Sequence, residues 1–229
     1  MQETKIDVTK TALLIVDMQN GLVSVNVLKK EPFDTINKAF TEMVKEKGII
    51  SNIAKVIAAA RKVGMPIIFI KAVHRKDGAD IFPSIRDNDW RRSPVIEDWR
   101  RSPVIEGTLG AEVTDELKPA PEDFIICKRK PNAFYNTDLE TILRSQSLDT
   151  VIITGAVTGG CVANTFRGAE ERNFNIIVLS DCCAARTAEE DEYFMKKVFP
   201  REAQVRTSDE IVAAMTKAST CRKAVYKAK

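Results

Sequence analysis

Apolar residues along this chain gather into short runs that are hydrophobic at nearly every position rather than at every second one. Six such runs, rich in β-branched residues, fall at 11–18 (TALLIVDM), 66–73 (PIIFIKAV), 123–128 (DFIICK), 150–156 (TVIITGA), 175–181 (NIIVLSD) and, more weakly, 203–207 (AQVRT). A strand apolar on both faces is covered on both faces, so these runs predict a parallel sheet between two layers of helices. Segments with helical spacing lie between them. SNIAKVIAAARKVG opens on Ser51 as a cap and stops at Gly64 before Pro66, and TDLETILRSQS puts Leu139, Ile142 and Leu143 on one face. CVANTFRGAEERN, TAEEDEYFMKKVF and SDEIVAAMTKA continue the alternation. The pattern predicts one α/β domain over 1–229, a three-layer α/β/α, Rossmann-like, doubly wound parallel sheet of about six strands.

Two stretches break the rhythm. Residues 19–49 form a long connection in which DTINKAFTEMVKEKG has the spacing of a helix, and residues 74–122 hold only a faint helix near GAEVTDEL. Long connections of this kind in a compact domain are commonly functional, so 74–122 is read as a lid-like segment.

Composition narrows the classes. With 44% hydrophobic residues the chain can bury a sizeable core, and 35 Lys and Arg against 32 Asp and Glu, without a basic tract, give no reason to expect nucleic acid as a partner. No run approaches the ~20 apolar residues that span a bilayer, and none reads as an export signal. Five cysteines, Cys127, Cys161, Cys182, Cys183 and Cys221, lack paired metal-ligand spacing. The expectation is a reduced, cytoplasmic protein that needs no membrane. A single histidine, His74, rules out a His-rich metal site, so neither a metal nor another cofactor is expected.

Ligands of an open wound sheet bind beyond the carboxyl ends of its strands. Three reactive groups are expected there: Asp17 after the first run, Lys128 after the third, and Cys161 after the fourth, where TGAVTGG leads into a helix. A thiol at a helix N-terminus meets unpaired N–H groups and the positive end of the dipole, which would lower its pKa towards thiolate. Gly159 and Gly160 would let backbone approach a ligand closely. Asp17 is suited to take the thiol proton and Lys128 to offset its charge. The residues alone also allow blander roles: a structural Cys161, a loop-capping Asp17, and a solvated basic cluster in which Lys128 and Lys130 are not told apart.

LLIVDMQN, the Lys six residues before the Phe in KRKPNAFYNTDL, and DTVIITGAVTGGCVANTFRGAEERNFNIIVLSDCCAA together resemble the isochorismatase-like cysteine hydrolases. The resemblance covers nearly the whole chain except the two long connections. It implies a triad of Asp17, Lys128 and Cys161, the spacing to Phe134 favouring Lys128 over Lys130. It also implies a non-proline cis peptide at Ala156–Val157, with the N–H groups of Val157 and Cys161 as an oxyanion hole. The implied reaction is attack of Cys161 on a carbonyl, loss of ammonia or an amine, and hydrolysis of the thioester by water activated by Asp17. Relatives are usually homodimers or homotetramers.

Departures from the family pattern sharpen the expectation. The nicotinamidase branch holds a metal with an Asp and two His, which His74 alone cannot supply. Isochorismatase proper lacks the Cys nucleophile, so vinyl-ether hydrolysis is the less favoured alternative. What remains is similar to a metal-independent amidase of the N-carbamoylsarcosine, ureido or biuret kind, acting on a small molecule with water. A non-hydrolytic thiol protein that senses oxidants or electrophiles is the alternative from another class. Many relatives carry Asn or Asp where this chain has Gly159, which suggests a roomier pocket. His74 is expected as a hydrogen-bonding pocket wall, Phe134 as a pocket-lining aromatic, and Cys127, Cys182 and Cys183 as packing residues.

DWRRSPVIE occurs twice in succession, at Asp89–Glu97 and Asp98–Glu106. Nine residues are two and a half helical turns and an odd number of strand steps, so the copies could not share a face in either structure. A tolerated duplication is expected, with at most one copy touching substrate. The copy beside GTLGAEV, with Trp99, Arg100 and Arg101, is the one expected near the site.

Overall fold

A computed structural model describes residues 6–23, 35–80 and 104–227, the side chains of 35–39 and 219–227 excepted. Trp99, Arg100 and all but the last three residues of the doubled nonapeptide lie outside the described residues. Six parallel strands form one sheet: β1 (Thr11–Val16), β2 (Ile67–Ala72), β3 (Phe124–Lys128), β4 (Thr150–Ala156), β5 (Asn175–Ala184) and β6 (Gln204–Arg206). Their spatial order is β3-β2-β1-β4-β5-β6, so the winding reverses between β1 and β4. Every strand residue of β1 is buried, as expected of a central strand packed on both faces.

Helices α1 (Asn20–Val23) and α2 (Thr35–Glu46) occupy the first long connection. They are followed by α3 (Ile49–Val63), α4 (Leu139–Ser145), α5 (Ala163–Glu170), α6 (Ala188–Tyr193) and α7 (Ser208–Lys227). Leu13, Ile15, Ile67 and Phe69 pack with Ile53, Val56, Ile57, Ile211 and Met215 of α3 and α7 on one face. Leu14, Val16, Ile68 and Ile70 pack with Leu139, Leu143, Phe166 and Ala169 of α4 and α5 on the other. Among the described residues no helix is long and apolar enough to cross a membrane.

Three local expectations are corrected. The cap of α3 is Gly48, at φ 61, and Ser51 sits inside the first turn with its hydroxyl donating to the Gly48 carbonyl. Gly64, at φ 70, closes α3 as expected, its N–H reaching the carbonyls of Ala60 and Arg61. β5 runs past Asp181 to Ala184: Val178 pairs with Ile153 but Cys183 pairs with Gly155, so β5 bulges between these pairs. The bulge lets Asp181 leave the ladder and accept from both the N–H and the hydroxyl of Ser208 at the start of α7. Cys182 and Cys183 are buried, in line with packing, but Cys127 is exposed. β3 is an edge strand covered by α4 on one side only, so Ile126 and Lys128 turn inward while Ile125 and Cys127 face out.

In the second long connection, the faint helix near 110–117 resolves into two single turns of 3-10 helix, Leu109–Ala111 and Asp115–Leu117. Gln19, fully buried just beyond β1, ties this connection to the sheet. Its amide nitrogen donates to the carbonyls of Ala72 and Ala111, and its oxygen accepts from the N–H of Ala72. One side chain thus satisfies three buried backbone groups, two at the end of β2 and one in the loop.

Candidate active site

The winding reverses between β1 and β4, and in an open wound sheet ligands bind outside the carboxyl ends of the strands at such a point. Asp17 is the first residue after β1 and takes φ 53, a left-handed conformation that Asp tolerates better than most side chains. Lys128 is the last residue of β3, in register with Ala72 of β2. Its long stem crosses β2 to place Nζ 2.8 Å from Asp17 Oδ2, with both side chains at most 2% exposed. From β4 the chain passes through a cis Ala156–Val157 bond, as the family resemblance implied, into a wide turn over Thr158–Val162. Gly160 breaks the helical path of that turn, at φ −107 and ψ −108. Cys161 follows, and Lys128 Nζ donates to its Sγ over 3.1 Å. Asp17, Lys128 and Cys161, from three strand ends that are far apart in sequence, therefore meet around one ammonium.

Close approach between the central strands is part of the arrangement. Gly155, at φ 116, lies so near β1 that a Cβ there would stand 2.0 Å from the Val16 carbonyl oxygen. Only glycine lets β4 run this close to the residue before Asp17.

The electrostatics correct one expectation about Cys161. Its thiol is pushed up to about 12, first by burial and then by the neighbouring Asp17 carboxylate, with Lys128 acting in the opposite direction. The expected help from the helix terminus fails for a geometric reason: the regular helix α5 begins at Ala163, and Cys161 lies inside the preceding turn. Burial also works against the charge of Lys128, but the attraction of Asp17 and Cys161 outweighs it and holds the ammonium above its ordinary value. The resting site is thus a neutral thiol beside a carboxylate–ammonium pair. Asp17 Oδ1 is buried and receives no hydrogen bond from the described protein groups, which leaves one lone-pair-bearing oxygen free to take a proton.

The other expected site residues divide. His74 stands just beyond β2, its side chain partly exposed and Nδ1 3.6 Å from Asp80 Oδ2. Burial lowers its pKa against the pull of Asp80, so the imidazole is neutral near pH 7. Its backbone is gripped by the tail of the second nonapeptide: the His74 N–H donates to the Val104 carbonyl and the Glu106 N–H to the His74 carbonyl, at 2.9 and 2.8 Å. Phe134 is not a pocket residue. It is 4% exposed in the core, stacked on Phe174 with ring centroids 5.8 Å apart and faced by the Arg172 guanidinium. Gly160 lies in the thiol turn, open to substitution in space, whereas Gly159 is crowded.

That crowding overturns the expected roomier pocket. A Cβ on Gly159 would meet Glu190 Oε1 at 2.1 Å and Phe194 Cε2 at 2.7 Å, so α6 and the residue just past it already fill the space. Glu190 is a site neighbour that the sequence did not single out, because it lies 29 positions beyond Cys161. The one signal present was Thr187 three residues ahead of it, the spacing of a capping pair. In the structure the Thr187 hydroxyl accepts from the Glu190 N–H, while Glu190 Oε2 accepts from the Arg186 N–H. A surface cavity of about 550 Å³, lined by Thr150, Asn175, Gln204 and neighbours, lies at the opposite end of the sheet and contains none of these groups.

Comparison with known proteins places the fold in a family. The family model described as the isochorismatase domain matches residues 11–210. The chain belongs to the isochorismatase family. Among curated relatives, the ureidoacrylate amidohydrolase RutB of Variovorax paradoxus is 28% identical over 181 residues, spanning 75% of this chain and 67% of its own. The crystal structure of a cysteine hydrolase from Pseudomonas syringae pv. phaseolicola 1448A superposes with a TM-score of 0.76 at 26% identity, covering 94% of this chain and 97% of that one. N-carbamoylsarcosine amidase from Thermoplasma acidophilum superposes with a TM-score of 0.64 at 29% identity, covering 87% and 97%. This isochorismatase-family chain is therefore a member of a hydrolase family with amidohydrolase relatives, built on the six-stranded fold described above.

Proposed function

We propose that the protein hydrolyses a C–N bond of a small amide, ureido or carbamoyl compound through a thioester on Cys161. The observation that carries the reading is the contact of Cys161 Sγ and Asp17 with one buried Lys128 ammonium at the sheet's reversal point. A thiol held neutral must lose its proton as it attacks, and Asp17 Oδ1 is the free acceptor beside it. In the first half-reaction sulfur bonds to the substrate carbonyl carbon, the thiol proton passes to Asp17, and the carbonyl oxygen becomes an oxyanion. The Val157 and Cys161 N–H groups receive that oxyanion. When the intermediate collapses the C–N bond breaks, and the amine leaves with the proton from Asp17. Water then gives a proton to Asp17 and adds to the thioester; collapse releases the acid and returns the proton to sulfur. Lys128 keeps its proton throughout and balances the charge that moves between Asp17 and the substrate.

His74, Trp99, Arg100 and Gly160 are proposed as groups near the bound substrate, and the relatives named for ureidoacrylate and N-carbamoylsarcosine support a small ureido or carbamoyl compound as that substrate. We take the working form to be a homodimer or homotetramer. The raised thiol weighs against a redox or electrophile sensor, since such cysteines work as exposed thiolates. Ammonia release from a panel of linear amides, ureides and carbamoyl compounds tests the proposal. Turnover should vanish in Cys161→Ala and Asp17→Asn, and an acyl adduct should be found on Cys161 by mass spectrometry. Full activity in Cys161→Ala overturns it.

A further inference from the structure

The turn that carries Cys161 closes on itself, the Gly160 and Val162 N–H groups both donating to the Val157 carbonyl, but these bonds do not tie it to the elements around it. Thr158 and Val162 are fully buried at its two ends, but the residues between Thr158 and Cys161 are both glycine. Its attitude depends on what holds Thr158 and what packs against Gly159. Both supports come from α6. The Thr158 hydroxyl donates to Asp191 Oδ1 over 3.4 Å, and the Glu190 carboxylate fills the space above Gly159.

Asp191 is itself held from across the fold. Lys47, in the turn between α2 and α3, directs its ammonium to three acceptors: Asp191 Oδ2 at 2.7 Å, the Ser180 carbonyl at 3.0 Å and the Cys183 carbonyl at 3.1 Å. The two carbonyls belong to the bulged stretch of β5. Both Lys47 and Asp191 are partly buried, with side chains 28% and 18% exposed, and all three donors of the ammonium are used. A surface ion pair would not need two backbone acceptors from a distorted strand. This one joins the α2–α3 turn, the β5 bulge and α6 at one point, and its far oxygen reaches the thiol turn.

We propose that Lys47 and Asp191 are positioning residues of the thiol site, holding the turn that carries Cys161 and the Val157 N–H through the buried hydroxyl of Thr158. The proposal rests on Cys161 being the nucleophile. Neither residue touches Cys161 in the contacts described above; they act by fixing the first peptide of the turn, to which the Val157 N–H is directly joined. A shift of this peptide would misplace the sulfur and the oxyanion donors together.

The test uses Thr158→Val, Thr158→Ser, Asp191→Ala and Asp191→Asn in the full chain, with two readouts. On an amide that the wild type hydrolyses, Thr158→Val and Asp191→Ala should each lower kcat by about ten- to a hundredfold with KM held within about twofold. The double variant should be no worse than the worse single, and Thr158→Ser should restore the rate, because these groups act as one chain. The second readout is alkylation of Cys161 by iodoacetamide at about pH 8, followed by peptide mass spectrometry. It should speed up several-fold in both variants, since a loosened turn lifts the thiol out of the burial that keeps it protonated. Losses that multiply in the double variant, or alkylation at the wild-type rate in both singles, overturn the proposal. If Asp191→Ala does not fold, Asp191→Asn, which keeps the shape and removes the charge, decides by the same alkylation readout. Alkylation needs no substrate, so a wild type that hydrolyses no amide refutes the amidase reading while leaving this one to be decided on its own.

Discussion

Removing Lys128 and Asp17 one at a time and together separates what the buried pair does for stability from what it does for chemistry. The two charges stand 2.8 Å apart with side chains 1% and 2% exposed, so water cannot solvate either when its partner is gone. Lys128→Met strands the Asp17 carboxylate, and Asp17→Asn leaves the ammonium, among the contacts of the described residues, without its carboxylate partner. Each single change should cost about 3–5 kcal/mol, the usual penalty of an uncompensated buried charge. For a domain of this size each kcal/mol moves Tm by about 2–4 °C, so each single variant should melt roughly 6–20 °C below wild type. The double variant buries no net charge and two groups of similar volume, and should recover most of that loss, while on the proposed function none of the three variants should release ammonia. Calorimetry at pH 7 beside an ammonia-release assay reads both. The folded pKa of Lys128 is raised, so the stability it adds is complete below its ordinary value of 10.5 and is lost as pH climbs through the folded value. The gap between wild type and Lys128→Met should accordingly narrow in strong alkali. A double variant destabilised by the sum of the two singles would refute the reasoning, since it would mean that the charges do not compensate one another.

Three further outcomes follow from the site. At about pH 8 iodoacetamide should label the exposed Cys127 well before Cys161, and Asp17→Asn should speed labelling of Cys161, because the carboxylate is one of the groups holding its thiol up; preferential wild-type labelling of Cys161 would contradict this. Gly159→Asn should cost about 1–3 kcal/mol and most of the activity by forcing Glu190 and Phe194 aside. Adding Glu190→Ala should recover part of the thermal stability, and no recovery would show that Glu190 is not the obstacle. Deleting Asp89–Glu97 gives the same chain as deleting Asp98–Glu106, and it should leave a folded, active enzyme, because the one copy that remains still leads into Gly107 and can grip His74 as the second copy does now. Loss of activity with the melt unchanged would show that the doubled length contributes to the site.

The strands were legible because each is a run of apolar, β-branched residues closed by a polar one. β1 and β4 were bounded within two residues, and Asp17 and Cys161 stood out after such runs, whereas choosing Lys128 over Lys130 took the spacing to Phe134 under the family resemblance. What the runs could not convey was neighbourhood. Alternation placed Cys127 opposite Lys128, but its exposure depends on β3 being the edge, which is a property of strand order. The end of β5 was hidden by Ser180 and Asp181, which look like a stop and are instead the bulge that Lys47 and Ser208 engage. Phe134 read as a pocket aromatic because it lies close in sequence to Lys128, yet the turn after β3 points it into the core beside Phe174. The state of the thiol depended on depth and on where the helix begins: the regular helix starts two residues past Cys161, and the burial that raises the thiol arises only when three strand ends converge.

That convergence gives the site an unequal foundation. Asp17 and Cys161 stand on β1 and β4 in the middle of the sheet, whereas Lys128 stands on β3, paired with β2 alone among the described strands. Edge strands open locally at a lower free energy than central ones. A brief parting of β3 from β2 would withdraw the ammonium while the core and most of the secondary structure stayed intact. Heat inactivation should therefore follow the fraying of one outer strand, with activity lost on warming before the domain as a whole melts.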